Sequence, residues 1–319
     1  MLRILHFNEG RVTVSDNPEA VAPPAGDELC WIDIQDFTAS ELDLLRQRFG
    51  FHSLALDDCI QHNERAKLDD YGDYLFLVTH QTSMDNNGAR SFHAEELDVF
   101  LGRRFLITVH HQPVAELERI WNRAGAEPAL AAGGVDFLCY LLMDELVDAT
   151  FPLIDHFSEQ IEKIESAILD HPDNSQLHHL MHYRRMLIMM RRVLGPQRDL
   201  VAILVRRGDE RISERTGLFF RDVYDHLMRA AEQIEFQRDQ VANVMEAYLS
   251  MIANRTNEVM KRLTILASIF LPLNFMTGFF GQNFDAIPNS SHLLFALDLA
   301  GCVLVPLAML AWFQRRKWN

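Results

Sequence analysis

Two apolar runs near the end of this chain constrain its fold more than any other feature. Leu263–Phe280 holds 18 residues without a charge, and Leu293–Phe313 holds 21, interrupted only by Asp298. At about 1.5 Å of rise per residue, each run reaches or nearly reaches across a bilayer core as a helix. The connecting segment GQNFDAIPNSSH contains Pro288 and no Lys or Arg, whereas Lys261 and Arg262 precede the first run and Arg315, Arg316 and Lys317 follow the second. Bases on one side of both spans put both termini in the cytoplasm and the loop outside. The expectation is a multi-pass protein of the cell's inner (plasma) membrane, with Trp312 and Trp318 at the cytoplasmic interface. The N-terminal MLRILHFNEGRVTVSD turns polar too early for a signal peptide. A buried hairpin of a soluble protein would rarely be flanked by bases on one side only.

The rest of the chain has the opposite character. The whole carries a formal charge of −15, yet residues 261–319 hold five basic and two acidic side chains. An acidic body on a basic, apolar tail argues against nucleic acid, because phosphate binding needs a basic face, and favours cations. Cys30, Cys59, Cys139 and Cys302 are scattered without a CxxC, which excludes a disulfide framework and a cysteine zinc site.

Residues 1–133 read as an α/β domain. LRILHF, RVTVS, CWIDI and YLFLVTH have strand character, and LDVFLGRRFLITVHH reads as a hairpin turning near Gly102. ASELDLLRQRFG reads as a helix capped by Ser40 and stopped at Gly50. Residues 134–262 read as long helices. One is expected over VDFLCYLLMDELVDATFPLIDHFSEQIEKIESAILD and a second over LHHLMHYRRMLIMMRRVLGPQRDLVAILVRR, with a bend allowed at Pro196. A third begins near Leu218 and meets no proline before Pro272; run on to Gly281 it is about 90 Å long. Residues 263–313 are then the two spans with their outside loop 281–292, and 314–319 a basic cytoplasmic tail.

Steps of three and four from Asn257 trace one face of the third helix: Met260, Thr264, Ala267, Leu271, Asn274, Gly278 and Gly281. Small and polar residues dominate this seam. It suits a water-filled path, or equally a tight helix–helix contact through small residues. Two spans cannot enclose a pore alone, so the first reading requires a homo-oligomer.

The stretch TNEVMKRLTILASIFLPLNFMTGFFGQNFDAIP (Thr256–Pro288), with its tripeptide Gly281-Gln282-Asn283, resembles the signature of CorA-type divalent cation transporters, whose hallmark is Gly-Met-Asn at the outer end of the first span. LALDDCI (Leu54–Ile60), YLLMDELVDATF (Tyr140–Phe151), FFRDVYDHL (Phe219–Leu227) and the terminal RRKW resemble family segments in the expected order. The resemblance implies an α+β cytoplasmic domain, a long helical stalk and two C-terminal transmembrane helices, in a funnel-shaped homopentamer around a central pore. It implies passage of divalent cations, Mg²⁺ foremost with Co²⁺ and Ni²⁺ as companions, and no enzymatic reaction. The alternatives are a Zn²⁺ transporter, with or without proton coupling, and a membrane metal sensor that does not conduct. Three departures bear on ion choice: Gln282 for the family's Met, Asn274 for its Thr, and Asn289 where an acid is common, with Asp285 kept.

By the same resemblance the selectivity filter is Gly281, Gln282 and Asn283. The pore is lined by Asn257, Met260, Leu263, Thr264, Ala267, Leu271, Asn274 and Gly278, with Glu246 below. The tripeptide also fits a plain helix C-terminal turn, and Glu246 an ordinary ion pair. Regulatory Mg²⁺ is expected between protomers at Asp58 with Asp222, and at Asp57 and Asp144 beside Asp222; a few carboxylates hold such an ion by its waters. Taken alone, these acids also read as solvated surface groups. Lys261, Arg262, Arg315, Arg316 and Lys317 form a basic ring that either fixes topology and binds anionic lipid or opposes cation passage. His171, His178, His179 and His182, and the strand-end pair His110 and His111, have spacings that can ligate zinc, but read better as exposed residues at a turn and a strand end. Asp298 reads as an outer-interface carboxylate or an aid to ion entry. HExxH, GxSxG and a phosphate-binding glycine loop are absent.

Overall fold

The computed structural model describes residues 1–62, 65–84, 92–206, 210–282 and 292–315. The chain packs as two units, Met1–Val244 and Met245–Asn319.

In the first unit, seven strands form one sheet: β1 (Leu2–Asn8), β2 (Arg11–Ser15), β3 (Leu29–Gln35), β4 (Lys67–Asp70), β5 (Tyr74–Met84), β6 (Phe92–Gly102) and β7 (Phe105–His110). Their order is β2-β1-β3-β7-β6-β5-β4. Every neighbour pair is antiparallel except β3 and β7, which run parallel from Cys30 opposite Phe105 to Gln35 opposite His110. One core forms where Ile4, Ile32, Ile34, Phe76, Val78, Phe100 and Ile107 meet Leu42 and Leu45 of α1 (Ala39–Phe49) and Ala55, Leu56 and Cys59 of α2 (Ser53–Ile60). The β6–β7 hairpin turns after Gly102, as its glycine suggests.

Helix α1 starts one cap earlier than Ser40. Thr38 is its N-cap, and Glu41 three residues on accepts the Thr38 backbone N–H at 2.7 Å. That reciprocal box satisfies more orphan donors than a lone serine does. Gly50 ends α1 at φ 69°, a left-handed conformation in which glycine is unstrained.

After α3 (Ala115–Ala126), the single helix expected over residues 135–170 is two: α4 (Val135–Asp148) and α5 (Phe151–Asp170). The cause is Pro152, which cannot donate to the Asp148 carbonyl. The chain tightens instead, with Thr150 N–H on the Val147 carbonyl at 3.0 Å, and α5 starts afresh with proline in its first turn. Helix α6 (Asn174–Arg206) runs through Pro196, and Gln197 just beyond it donates to Thr79 Oγ1 and the His80 carbonyl at 2.9 and 2.7 Å, fastening α6 to β5.

Helix α7 (Glu214–Phe280) starts four residues before Leu218 and contributes to both units. In the first unit it buries Phe220, Val223, Leu227, Ala230, Ile234, Gln237, Val241 and Val244. Steps of three and four keep that stripe on one side of the helix. In the second unit the pattern is different. From Lys261 onward the half-buried positions of α7 are Lys261, Ile265, Ser268, Ile269, Pro272, Leu273 and Met276, and those of α8 (His292–Arg315) are Asp298, Gly301, Cys302, Val305, Pro306 and Met309. These faces meet. Gly301 lies against Met276, where a Cβ would collide with the thioether methyl. A small residue lets two helices approach in an apolar medium. Around the rest of both helices, large apolar side chains such as Leu266, Phe270, Leu271, Phe275, Leu297, Leu304 and Leu307 stand exposed, as they would toward lipid or other helices.

Candidate functional site

The last turns of α4 and the first turns of α7 each carry two ligand-type side chains four residues apart, which places each pair on one helix face. Asp144 and Asp148 come from α4, Asp222 and His226 from α7. His226 Nδ1 lies 3.2 Å from Asp148 Oδ1, and its Nε2 lies 3.6 Å from Asp222 Oδ2. Single ligand atoms of Asp144, Asp148 and His226 all fall within 4.8 Å of one another. Tyr140 donates to Asp144 Oδ2 at 3.4 Å, while Asp144 Oδ1 is shielded from solvent and has no hydrogen-bond partner. Burial first, and then the Asp148 charge, raises the Asp144 carboxyl above its ordinary value. Burial with the neighbouring Asp144 charge pushes Tyr140 up to about 12.

Asp57 and Asp58 sit elsewhere. With Leu54, Gln61, Lys67, Asp69, Asp70 and Tyr71 they line a recess between α2 and β4. Lys67 donates to Asp58 Oδ2 at 2.6 Å and lies 3.0 Å from Asp69 Oδ2. Burial works against the Lys67 charge, but these hydrogen bonds outweigh it and hold the ammonium above its usual value. Within one protomer, then, Asp144 and Asp222 are brought together while Asp57 and Asp58 form a separate acidic recess with its own lysine.

On α7 the expected pore seam is exposed along its described length. Asn257, Met260, Leu263, Thr264, Ala267, Leu271, Asn274 and Gly278 are all exposed, on the side away from the face that packs on α8. Glu246 is exposed as well. Gly281 and Gln282 close α7: the Gly281 N–H reaches the Thr277 carbonyl at 3.0 Å and the Gln282 N–H the Phe279 carbonyl at 3.3 Å. A Cβ on Gly281 would sit 2.9 Å from the Thr277 oxygen, so the glycine is needed there for space. Asn283, with Asp285 and Asn289, lies outside the described residues, as do Arg316 and Lys317. Of the remaining bases, Arg262 donates to Glu258 one turn back at 2.6 Å, Lys261 is half-buried on the face toward α8, and Arg315 is exposed.

The histidines divide. His171, His178 and His179 are exposed near the α5–α6 turn, with His178 Nδ1 on the Asn174 carbonyl at 2.8 Å, and His182 is partly exposed. His111 is exposed, but His110 is not the exposed strand end that its sequence suggests. It is buried, because β7 is a central strand, and its Nε2 lies 3.2 Å from Asp33 Oδ1. Asp298 is half-buried on the α8 face that meets α7, with the Cys302 thiol 4.0 Å from its Oδ1. The sequence reading missed Lys67, Asp148 and His226 as site residues. The last two had a signal, each four residues from an acid already singled out.

Residues 26–316 match the CorA-like Mg²⁺ transporter protein family. The chain is 30% identical over 296 residues to the cobalt/magnesium transport protein CorA of Thermotoga maritima, covering 90% of this chain and 83% of that protein. It is 27% identical over 322 residues to the divalent cation transporter CmaX of Pseudomonas aeruginosa, covering 99% and 95%. Its fold superposes on the complete structure of the CorA magnesium transporter from Methanocaldococcus jannaschii with a TM-score of 0.87 at 19% identity, over 100% of this chain and 99% of that one. With two apolar spans that pack on each other, an acidic first unit and a match across nine-tenths of its length, the chain belongs to the CorA-like Mg²⁺ transporter family.

Proposed function

We propose that this chain is one protomer of a homo-oligomeric, pentameric channel that passes divalent cations across the inner membrane, Mg²⁺ first and Co²⁺ or Ni²⁺ with it. Both termini are cytoplasmic and no reaction is catalysed. The observation that carries this reading is the exposure of the α7 seam. One hairpin leaves the seam uncovered on the side away from its own packing face, including the polar Thr264 and Asn274, and polar groups at membrane depth belong on a bundle interior or a water path. Several copies around an axis supply that interior. Met260, Leu263 and Leu271 then form an apolar constriction that shuts by dewetting.

The test is ion uptake by proteoliposomes, with Mg²⁺, Co²⁺ and Zn²⁺ compared in one preparation. In a Cys302→Ala background, Ala267→Cys and Leu271→Cys channels should lose at least nine-tenths of their flux on treatment with a small thiol reagent, and Ile269→Cys should keep it. Block at Ile269 with none at Ala267 and Leu271 would put the path elsewhere. Zn²⁺ as the preferred ion in the same assay would favour the zinc reading, which the departures at Gln282 and Asn274 keep open.

Regulation rests on the acids of the first unit. Cytosolic Mg²⁺ bridging Asp58 of one protomer and Asp222 of the next holds the oligomer shut, and depletion lets the repelling carboxylates part. In one protomer Asp58 is held by Lys67 at 2.6 Å, so a bridging ion must compete with that ammonium. Asp222→Asn should weaken the protection from proteolysis that Mg²⁺ confers on the purified oligomer. Equal protection in variant and wild type would remove Asp222 from the regulatory site.

A further inference from the structure

Residues 1–260 carry 43 acidic side chains against 25 basic ones, yet α6 breaks that pattern. From Asn174 to Arg198 it holds no Asp or Glu and five arginines: Arg184, Arg185, Arg191, Arg192 and Arg198. Arg191 and Arg192 line a recess of 550 Å³ together with Arg65, which comes from the segment between α2 and β4, and with the apolar Ile188 and Pro196. Among the described residues no carboxylate lines it. Arg65 and Arg192 have no acidic partner among the described residues either. Arg191 Nε lies 2.7 Å from Glu235 Oε1 of α7, and a guanidinium has further N–H groups to give.

Three cations around one recess repel each other, and an anion between them removes that cost. The guanidinium fork matches phosphate oxygens in pairs, which is why arginine serves where phosphate is recognised. Arg192 also lines a second recess, of 210 Å³, with His62, His80, Phe92 and Met189. Its character is different. The His62 ring is held in place by Glu96, with Nδ1 3.0 Å from Oε2. Aromatic rings and a polarisable thioether make a surface on which a flat heterocycle stacks. The two recesses thus meet at one arginine, with a cationic lining on one side and an aromatic lining on the other. Few placed charges beside apolar walls is the usual make-up of a small-molecule site. We propose that this pair of recesses binds a nucleoside polyphosphate, its phosphate chain on Arg65, Arg191 and Arg192 and its base against His62, Phe92 and Met189.

The site goes beyond the channel reading and does not rest on it, because every residue comes from one protomer and binding is measured without ion flux. Polyphosphate chains also coordinate Mg²⁺, which relates the ligand to the ion this family carries. Through the Arg191–Glu235 pair an occupied site is tied directly to α7.

The experiment is isothermal titration calorimetry of ATP into the detergent-purified full chain, in EDTA so that divalent ions play no part. Wild type should take up one ATP per protomer, and inorganic tripolyphosphate should bind at least tenfold more weakly. Arg192→Gln and Arg65→Gln, both at exposed positions, should each weaken ATP binding at least tenfold with an unchanged circular dichroism spectrum. Met189→Ala, also at an exposed position, should weaken ATP binding at least threefold and leave that of tripolyphosphate unchanged. A double Arg184→Gln, Arg185→Gln variant removes two charges from α6 outside both recesses and should bind ATP as wild type does. Tripolyphosphate binding as tightly as ATP would overturn the nucleotide assignment. A loss in the double variant equal to that in Arg192→Gln would reduce the effect to the net charge of α6 and overturn the site, as would folded wild type that binds no ATP.

Discussion

Asp33→Ala is expected to destabilise the first unit by about 3–5 kcal/mol, the cost of breaking a buried ion pair from one side. Asp33 lies on the central strand β3 with its side chain 1% exposed. It accepts from Arg3 Nε at 2.9 Å and from Thr108 Oγ1 at 2.5 Å, and faces His110 Nε2 at 3.2 Å. Thr108 Oγ1 in turn accepts from Trp31 Nε1 at 3.2 Å, while the Arg3 guanidinium lies 4.4 Å over the Trp121 ring. Removing the carboxylate leaves Arg3 with Glu118 as its remaining acidic partner. It also takes from the buried Thr108 hydroxyl its short acceptor, leaving the Ile32 carbonyl at 3.5 Å. A domain stable by about 5–15 kcal/mol would lose about a fifth of its margin or more. Asp33→Asn, which keeps the shape and one acceptor, should cost roughly half as much. Trp31 and Trp121 beside the network make tryptophan fluorescence during urea unfolding the natural readout. A loss below about 1 kcal/mol for Asp33→Ala would mean that the network is not load-sharing.

The second large effect is expected at Asn283. Asn283→Ala should abolish Mg²⁺ flux while the oligomer elutes unchanged from size-exclusion chromatography. Asn283 follows in sequence the turn at Gly281 and Gln282 that ends α7, after the first apolar span. Stripping water from Mg²⁺ is costly. A ring of neutral carboxamide oxygens can hold the hydrated ion by its waters and still release it, whereas a charged ring would hold too firmly for conduction. Gln282→Met restores the family tripeptide and should keep flux while shifting the ratio of Mg²⁺ to Zn²⁺ uptake. Normal flux in an intact Asn283→Ala oligomer would move selection to another level of the pore.

Much of this was legible in the sequence, for identifiable physical reasons. Strands β1, β2, β3, β5, β6 and β7 announced themselves because apolar, β-branched runs end at turn residues. Strand β4, KLDD, did not: it is short and polar, and its existence depends on pairing with β5. The break between α4 and α5 was written in Pro152 but masked by helical periodicity on either side. Ser40 resembles a cap when taken alone, whereas Thr38 caps α1 through its reciprocal partner Glu41. The acids of the candidate site came from motif resemblance, which names positions and not neighbours. Lys67 beside Asp58, and His226 between Asp148 and Asp222, became visible only when distant segments were folded onto each other. His110 was misjudged because position at a strand end says nothing about whether that strand is central.

The parallel pairing of β3 with β7 also has a consequence for how the chain is made. Strands β1, β2 and β3 emerge first and can pair among themselves at once, but the other edge of β3 is completed only by β7, some seventy residues later. At a synthesis rate of about 5–20 residues per second, that edge waits roughly 4–14 seconds with its amides and carbonyls unpaired. Non-local closure of this kind is slow in its own right, and an open apolar edge is a template for wrong partners. The nascent sheet is therefore most vulnerable to aggregation before either membrane span has left the ribosome, and expression of this protein should respond more to chaperones that shield strand edges than to insertion machinery alone.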